Sequence, residues 1–248
     1  MKTIIIPALA LTLLSACSKS DLHMFARTSF SANNASLAFN EAANPANPYD
    51  SVGILHNKIV DAVLLRIAAN GDTSLQAITA QVIAFAGSKM PAEAALSLSA
   101  ATAIAIKNAP DNYAQLIEDT DLSNTAKGYL HTLIIIVKDT SAYHNPSSVY
   151  PILYNRILGL ESQVLSNQQL SSIDRRAVLE VSSVGRYSLF YWLHNDQQYS
   201  LKKIIRAMAT VCGDIGGAVE GYYTGDVVGT AADASSWWYW NITYGMPG

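Results

Sequence analysis

Five glycines at a strict four-residue spacing constrain the fold of this 248-residue chain more than any other feature. This glycine ladder consists of Gly213, Gly217, Gly221, Gly225 and Gly229. A glycine inside a helix costs about 0.5–1 kcal/mol relative to alanine, so a repeated glycine needs a compensating contact. Close approach of another helix supplies one, because residues four apart form a slowly winding groove along one side of a helix. The ladder therefore predicts a C-terminal glycine-zipper helix.

Most of the chain after Pro48 has apolar residues at steps of three and four, which is typical of helices that bury one face. The first such segment, Tyr49 to Ala69, is followed by the stop signal Asn70-Gly71. The same spacing, with capping and proline signals, predicts further helices over 72–86, 91–107, 110–118, 123–138, 147–165, 171–192 and from 201 onward. Hairpin signals flanked by alternating residues are missing from the sequence. The predicted fold class is all-α, with a single multi-helix domain over 48–248.

Local signals mark three of these helices. Asp72 is predicted to cap the second one, and Ser171 with Asp174 resembles a capping box. The apolar run 133–137 fits either a helix or a buried strand, and its flanks favour the helix.

The first seventeen residues have the organisation of an export signal. The positive charge of Lys2 precedes an uncharged stretch to Ala16 that is too short for an ordinary transmembrane span. It runs into Leu14-Ser15-Ala16-Cys17, which resembles the lipobox of bacterial lipoproteins, in which the cysteine thiol takes a diacylglycerol before cleavage. The alternative is an ordinary secreted protein with a cysteine near its cleavage site. We predict a signal peptide over 1–16, a Cys17 that carries acyl chains such as palmitate, and a place in the bacterial cell envelope, at the outer membrane in preference to the inner.

Residues 17–47 have the composition of a tether. They are rich in Ser, Asn and Ala and finish in Asn44-Pro45-Ala46-Asn47, just before Pro48. A flexible segment of this length lets the domain lie roughly 30 Å from its lipid. The predicted partner is therefore the membrane, reached through the lipid on Cys17.

Three blocks of sequence resemble a family of helical lipoproteins from the Bacteroidota. They are NPYDSVGILHNKIVDAV at 47–63, SSVGRYSLFYW at 182–192, and the glycine ladder with the small residues that follow it. The resemblance covers most of the mature chain and implies a lipid anchor and a helical domain. It implies no activity, because none is established for that family.

Charge and cysteine content limit the possible partners and cross-links. The net charge is −3, and it becomes −4 when Lys2 leaves with the signal peptide. No run of Lys and Arg suggests a nucleic-acid partner. Lipidation of Cys17 leaves Cys212 alone, so an internal disulfide is excluded and Cys212 is predicted to be a buried structural thiol.

Candidate catalytic groups are sparse, and each has an ordinary structural explanation. His56, Asn57 and Asp61 lie on the first helix, where capping and interhelical hydrogen bonds are favoured over a metal or a proton shared by His56 and Asp61. Ser200 and Lys203 match the S-x-x-K of some acyl-transfer enzymes without its companion motifs, and Ser200 fits an N-cap. Three more histidines are isolated in sequence: His131, His144 and His194. No catalytic residue, metal ligand or cofactor is predicted.

Aromatic residues concentrate toward the C-terminus in two groups. The group with helical spacing is predicted to be core: Tyr187, Phe190, Tyr191 and Trp192. The second group, at 237–240, is denser than a core requires, so an interfacial anchor or a ligand-contacting cluster is an alternative to core packing there.

Three functions from different classes stay open at this point. A non-catalytic, membrane-anchored interaction or envelope protein is favoured, with the ladder packed inside the domain. A membrane-active protein would instead insert the ladder into a bilayer, but four acidic residues oppose this at about 2.5–3.5 kcal/mol each at the bilayer centre: Asp214, Glu220, Asp226 and Asp233. An enzyme whose site is assembled from residues distant in sequence is the third. A deep polar pocket would favour the enzyme, and burial of the ladder against other helices would argue against the membrane-active protein.

Overall fold

The described part of the chain is built from helices. The computed structural model describes residues 41–72, 74–86, 113–144, 148–194, 201–224 and 227–244. Its elements are α1 Asp50–Asn70, α2 Leu75–Ala86, α3 Asn124–Lys138, a 3-10 helix Thr140–His144, α4 Val149–Ser166, α5 Ser172–His194, α6 Leu201–Thr224 and α7 Val227–Tyr244. Residues 113–118 are also helical, and no strand occurs within the described ranges, which confirms the all-α prediction. The helix predicted over 91–107 lies outside the described residues.

The first helix ends where the sequence predicts, for a steric reason. Gly71 follows α1 in the left-handed conformation, with φ of 71°, and its N–H donates to the carbonyl of Ile67. A β-carbon makes this conformation costly, so glycine is the usual residue at such a helix end. The stop signal is thus a hydrogen-bonded cap.

Two other helix starts differ in detail from the predictions. Ser74, not Asp72, caps α2, because its hydroxyl accepts from the N–H of Ala77 while Asp72 accepts from the N–H of Ser74. At α5 the hydroxyl of Ser171 accepts from the N–H of Asp174, which is half of the capping box. The Asp174 carboxylate accepts instead from the N–H of Ser123. It thereby joins the start of α5 to the start of α3.

The ambiguous run 133–137 is part of helix α3. Leu133, Ile134 and Val137 are buried, whereas Ile135 is 67% exposed. A strand would place residues 133, 135 and 137 on one face, so this burial pattern belongs to a helix. Ser123 caps the helix by accepting from the N–H of Ala126.

α5 is the central helix of the domain. Every residue from Ala177 to Leu193 is buried, because α1, α3, α4, α6 and α7 all contact α5. The aromatic group predicted to be core lies on it and is buried: Tyr187, Phe190, Tyr191 and Trp192. A helix covered on all sides has to satisfy its polar side chains within the protein. α5 therefore decides where the buried polar groups of the domain lie.

The glycine ladder is divided between two helices and does not run along one. A β-carbon on Gly217 would lie 2.7 Å from the carbonyl oxygen of Thr230 and 2.9 Å from Cα of Ala231. On one continuous helix these positions would be about 20 Å apart, so α6 and α7 fold back on each other as a hairpin. Four of the five glycines are buried, Gly213, Gly217 and Gly221 on α6 and Gly229 on α7, and Gly225 lies outside the described residues. The small residues 229–236 offer α6 the close partner that the glycines require, which explains the difference from the predicted single zipper helix.

The domain also begins earlier than the predicted boundary at Pro48. Ala42 and Asn47 are buried. The hydroxyls of Tyr150 and Tyr154, on α4, donate to the carbonyls of residues 41 and 43 at 2.9 Å each. Residues 41–47 were assigned to the tether on composition, but their polar groups bond to the domain.

We expect Gly217→Ala to lower the thermal midpoint of unfolding. Its β-carbon would meet backbone atoms of α7, which cannot turn away as a side chain can, and overpacking of this kind costs about 1–3 kcal/mol. Gly159→Ala is the matched control, because a β-carbon there meets nothing within 4 Å. Gly159 lies inside α4, so alanine should raise the midpoint through helix propensity, by about 0.5–1 kcal/mol in stability. Thermal unfolding followed by circular dichroism compares the two, and a higher midpoint for both variants would contradict the close contact.

Candidate functional site

The three sequence blocks meet inside the domain, on α1, α5 and the α6–α7 hairpin. Gly53 marks the contact between the first two blocks, since a β-carbon there would lie 2.5 Å from the carbonyl oxygen of Ser183 and 2.4 Å from Cδ2 of Tyr187. The N–H of Gly53 donates to the hydroxyl of Ser183 at 3.1 Å. Because α1 and α5 touch at backbone distance, the polar side chains on either side of Gly53 are enclosed. They form two clusters.

The first cluster is the arginine network, centred on Arg186 and Glu161, neither of which has exposed side-chain surface. The Nε and Nη2 atoms of Arg186 donate to the two carboxylate oxygens of Glu161 at 3.2 and 3.3 Å. Arg186 also donates to the Asp50 carboxylate and to the carbonyl of Ala42. A planar guanidinium suits such paired contacts because its donors form a rigid fork.

Side chains from the start of the domain complete the arginine network. Glu161 accepts from the amides of Asn44 at 2.6 Å and Asn47 at 2.8 Å. Asp50 accepts from the hydroxyl of Tyr187 at 2.9 Å and from the N–H of Asn44 at 3.1 Å. These bonds fasten residues 42–50 to α4 and α5. Such charge-assisted bonds are about twice as strong as neutral ones.

The second cluster is the His56–Asp214 pair, which lies between α1 and α6. The two side chains are 1% and 0% exposed, and His56 Nε2 lies 4.0 Å from Asp214 Oδ2. His56 Nδ1 is 2.9 Å from the side-chain oxygen of Asn57, whose amide donates to the carbonyl of Tyr187. The hydrogen bonds of α1 to α5 that the sequence favoured are therefore present. The carboxylate within 4.0 Å of His56 is that of Asp214 and not that of Asp61.

Burial sets the protonation of the His56–Asp214 pair. It lowers the pKa of His56 to about 4, against the opposing effects of the Asn57 side chain and the Ala231 backbone. It raises the pKa of Asp214 to about 7, although hydrogen bonds from Ser188 and Trp192 favour the charged form. Both shifts have one cause, since a charge is disfavoured away from water. At weakly acidic pH the Asp214 carboxyl is therefore protonated beside a neutral His56. As the pH rises through about 7, Asp214 becomes a buried carboxylate and His56 stays neutral.

α5 supplies the hydrogen-bond donors for the carboxylate form of Asp214. Ser188 donates its hydroxyl to Asp214 Oδ2, and Trp192 Nε1 donates to the same oxygen at 3.1 Å. The two residues are four apart, so they lie on one side of α5 and face Asp214 together. A second carboxyl nearby, Asp61, has its pKa raised to about 6, chiefly by burial.

The other candidates from the sequence lie apart from these clusters. Cys212 is buried, and burial raises the pKa of its thiol to about 12, which keeps it in the unreactive thiol form. His131 pairs with Glu118 near the surface at 2.8 Å, and His194 stacks on Phe190. Four predictions from the sequence concern groups that lie outside the described residues: Ser200, and the side chains of His144, Lys203 and 237–240.

Of the residues at the centres of the two clusters, the sequence offered His56 as a candidate but not Asp214, Arg186 or Glu161. Arg186 and Asp214 carry a readable signal, because each is an ionisable residue inside a helix whose neighbours on all sides are small or apolar. Glu161 carries no such signal, since Gln163 and Ser162 beside it make that stretch of α4 look solvent-facing. Its burial depends on residues more than a hundred positions earlier in the chain.

Neither cluster has the side chains of a metal site, and the crevice described below is lined by residues of neither cluster. Within the described ranges, no three side chains of the His, Cys, Asp and Glu types lie close enough together to hold a metal ion. A shallow crevice between residues 113–117 and 215–219 is lined by apolar groups such as Ile117, Ile134 and Val219. The chemistry of the clusters is thus hydrogen bonding and proton uptake inside the core.

Comparison of the chain with protein-family models, curated proteins and solved structures gives no match. Among the helices that the structure describes, none is both long enough and apolar enough to cross a membrane. Function is therefore inferred from the residues and their geometry.

We expect Arg186→Met to lower the free energy of unfolding by about 3–5 kcal/mol, because it leaves the Glu161 carboxylate buried without its counter-charge. Adding Glu161→Met should recover part of this loss, since the second substitution removes the stranded charge. Arg156→Met is the control, because Arg156 pairs with Asp139 at the surface and should cost little. Urea unfolding measures all three. A double variant less stable than Arg186→Met would contradict the network.

His56 and Asp214 are predicted to make opposite contributions to the pH dependence of stability, which two variants can separate. The folded pKa of Asp214 is raised, so its contribution to stability is complete below about pH 4 and is lost as the pH rises to about 7. The folded pKa of His56 is lowered, so its contribution is complete above its unfolded pKa of 6.5 and is lost as the pH falls to about 4. The two effects oppose each other between about pH 4 and 6.5 in the natural protein.

Removing one partner exposes the pH dependence of the other. Between about pH 4 and 6.5, the stability of Asp214→Asn should rise with pH relative to that of His56→Gln. Urea midpoints measured across this range give the two slopes. Asp61 titrates in both variants and cancels from the comparison, so parallel profiles would show that the pair does not titrate as described.

Proposed function

We propose that this protein is an exported lipoprotein, anchored through the lipid on Cys17, whose helical domain takes part in interactions at the cell envelope and not in catalysis. The observation that carries the proposal is the attachment of residues 42–50 to the arginine network. The predicted tether enters the domain at this point. It is held there by Arg186, Tyr150 and Tyr154.

This attachment suits a domain that is held by its N-terminal end. A pull on residue 41 acts first on Ala42, Asn44 and Asn47, whose partners are the buried groups of α4 and α5. A weakly packed end would fray before the rest of the domain. The charge-assisted bonds instead pass the force to the central helix.

The arrangement of the ladder favours an interaction protein over a membrane-active one. Gly217 is in contact with the α7 backbone, and Asp214 beside it is fully buried and hydrogen-bonded to α5. Insertion of this segment into a bilayer would break both contacts and carry a carboxyl group into hydrocarbon. The ladder is better explained as part of the domain interior.

Membership in the Bacteroidota lipoprotein family, and a place at the outer membrane, belong to the same proposal. They are supported by the lipobox-like Leu14-Ser15-Ala16-Cys17 and by the position of the three blocks. These blocks are distant in sequence, yet their polar residues share one interior, as expected for the defining core of a family. Ligand and partner would then differ at the surface of the domain.

The anchor is tested by comparing Cys17→Ala with Cys212→Ala in cells fed a labelled fatty acid. Cys17→Ala should lose the acyl label and either leave the membrane fraction or persist as an unprocessed precursor. Cys212→Ala should keep both label and fractionation, because Cys212 is a buried thiol in the domain. Label that persists in Cys17→Ala, with normal processing, would overturn the lipoprotein proposal.

A further inference from the structure

The point where the tether enters the domain and the C-terminal end of α5 lie at the same end of the domain. The hydroxyl of Tyr150 donates to the carbonyl of residue 41. The ring of Tyr150 lies 4.7 Å from that of His194, the last residue of α5, and 5.4 Å from that of Phe190. This tether end of the domain therefore includes the start of α4 as well.

The start of α6 projects beyond the same end. α6 runs antiparallel to α5, since a β-carbon on Gly185 would lie 3.1 Å from Ile215 and Trp192 bonds to Asp214. From Ile215 back to Leu201 is roughly 21 Å of helix, whereas from Gly185 to His194 is roughly 14 Å. A little more than the first turn of α6 thus extends roughly 7 Å past the end of α5, and the second turn lies level with that end.

The first two turns of α6 expose apolar side chains on one face. Leu201 and Ile205, four residues apart, are 56% and 53% exposed, whereas Ile204 and Met208 on the other face are buried. Ile152, two residues after Tyr150, adds a third exposed apolar side chain at the tether end. All three side chains lie outside the core at the tether end of the domain.

The charge of these turns is positive, unlike that of the chain as a whole. The sequence 201–206 contains Lys202, Lys203 and Arg206, and no acidic residue occurs before Asp214. Arg206 is half-buried on α6. Cations combined with exposed leucine and isoleucine are the pattern by which helices lie in an anionic lipid interface.

We propose that the tether end of the domain rests on the lipid surface that holds its anchor, with Leu201 and Ile205 in the headgroup layer and the net positive charge of residues 201–206 attracted to anionic lipid. This inference rests on the proposed function, because it takes the lipid at Cys17 as given. The tether reaches the domain at this end, so the anchor brings the same end toward the bilayer. The opposite end, where α5 begins, then faces away from the membrane.

The orientation is tested with the intact lipidated chain in vesicles that contain phosphatidylglycerol and a lipid with a nitroxide on its headgroup. A bimane fluorophore is attached at Ile205→Cys or, as the matched control, at Ile173→Cys. Ile173 is 64% exposed and lies near the start of α5, roughly 30 Å along that helix from His194. The buried thiol of Cys212 does not compete for the label.

We expect quenching at position 205 to exceed that at 173 by about twofold or more. It should weaken with Arg206→Glu, and with a rise in salt that shortens the Debye length from about 8 Å at 0.15 M to about 3 Å at 1 M. If the protein floats with the vesicles but is quenched equally at the two positions, the proposed membrane-facing surface is wrong and the lipid anchor still stands. Protein that fails to float would overturn the anchor itself.

Discussion

A guanidinium with no exposed surface has to be neutralised and hydrogen-bonded where it lies, because transfer of a charge from water to a protein interior costs several kcal/mol. Arg186 meets this requirement with groups from three separate parts of the chain, Glu161 on α4, Asp50 on α1 and the carbonyl of Ala42 before α1. Each partner has to be in place for the charge to be tolerated. The position of α5 therefore determines those of α1, α4 and the first residues of the domain together.

Close backbone contacts extend the same arrangement to the rest of the fold. Gly53 allows α1 to touch α5, and Gly217 allows α6 to touch α7. These contacts leave no room for water, so the polar groups beside them have to bond to one another. Asp214, for example, is enclosed between α6 and α5 and accepts from Ser188 and Trp192.

The helices were readable from the sequence because their signals are local. Apolar spacing and Gly71 gave the end of α1, and helical spacing identified the buried aromatic face of α5. The hairpin was not readable, since a four-residue glycine spacing looks the same whether the chain continues or folds back after Thr224. The start of the domain was misplaced for a related reason. In the sequence Asn44 and Asn47 resemble loop residues, because their shared hydrogen-bond partner Glu161 is more than a hundred residues away.

The partners of residues 42–50 lie far along the chain. Glu161 is 114 residues from Asn47, and Arg186 is 144 residues from Ala42. Contacts of such long range form late in folding, because the cost of closing the loop precedes any gain from the contact. The bonds of residues 42–50 to Glu161 and Arg186 cannot form until α4 and α5 have emerged. A chain that crosses a membrane N-terminus first would thus lack these bonds through most of its passage. The same bonds would be absent during export and would stabilise the domain afterwards.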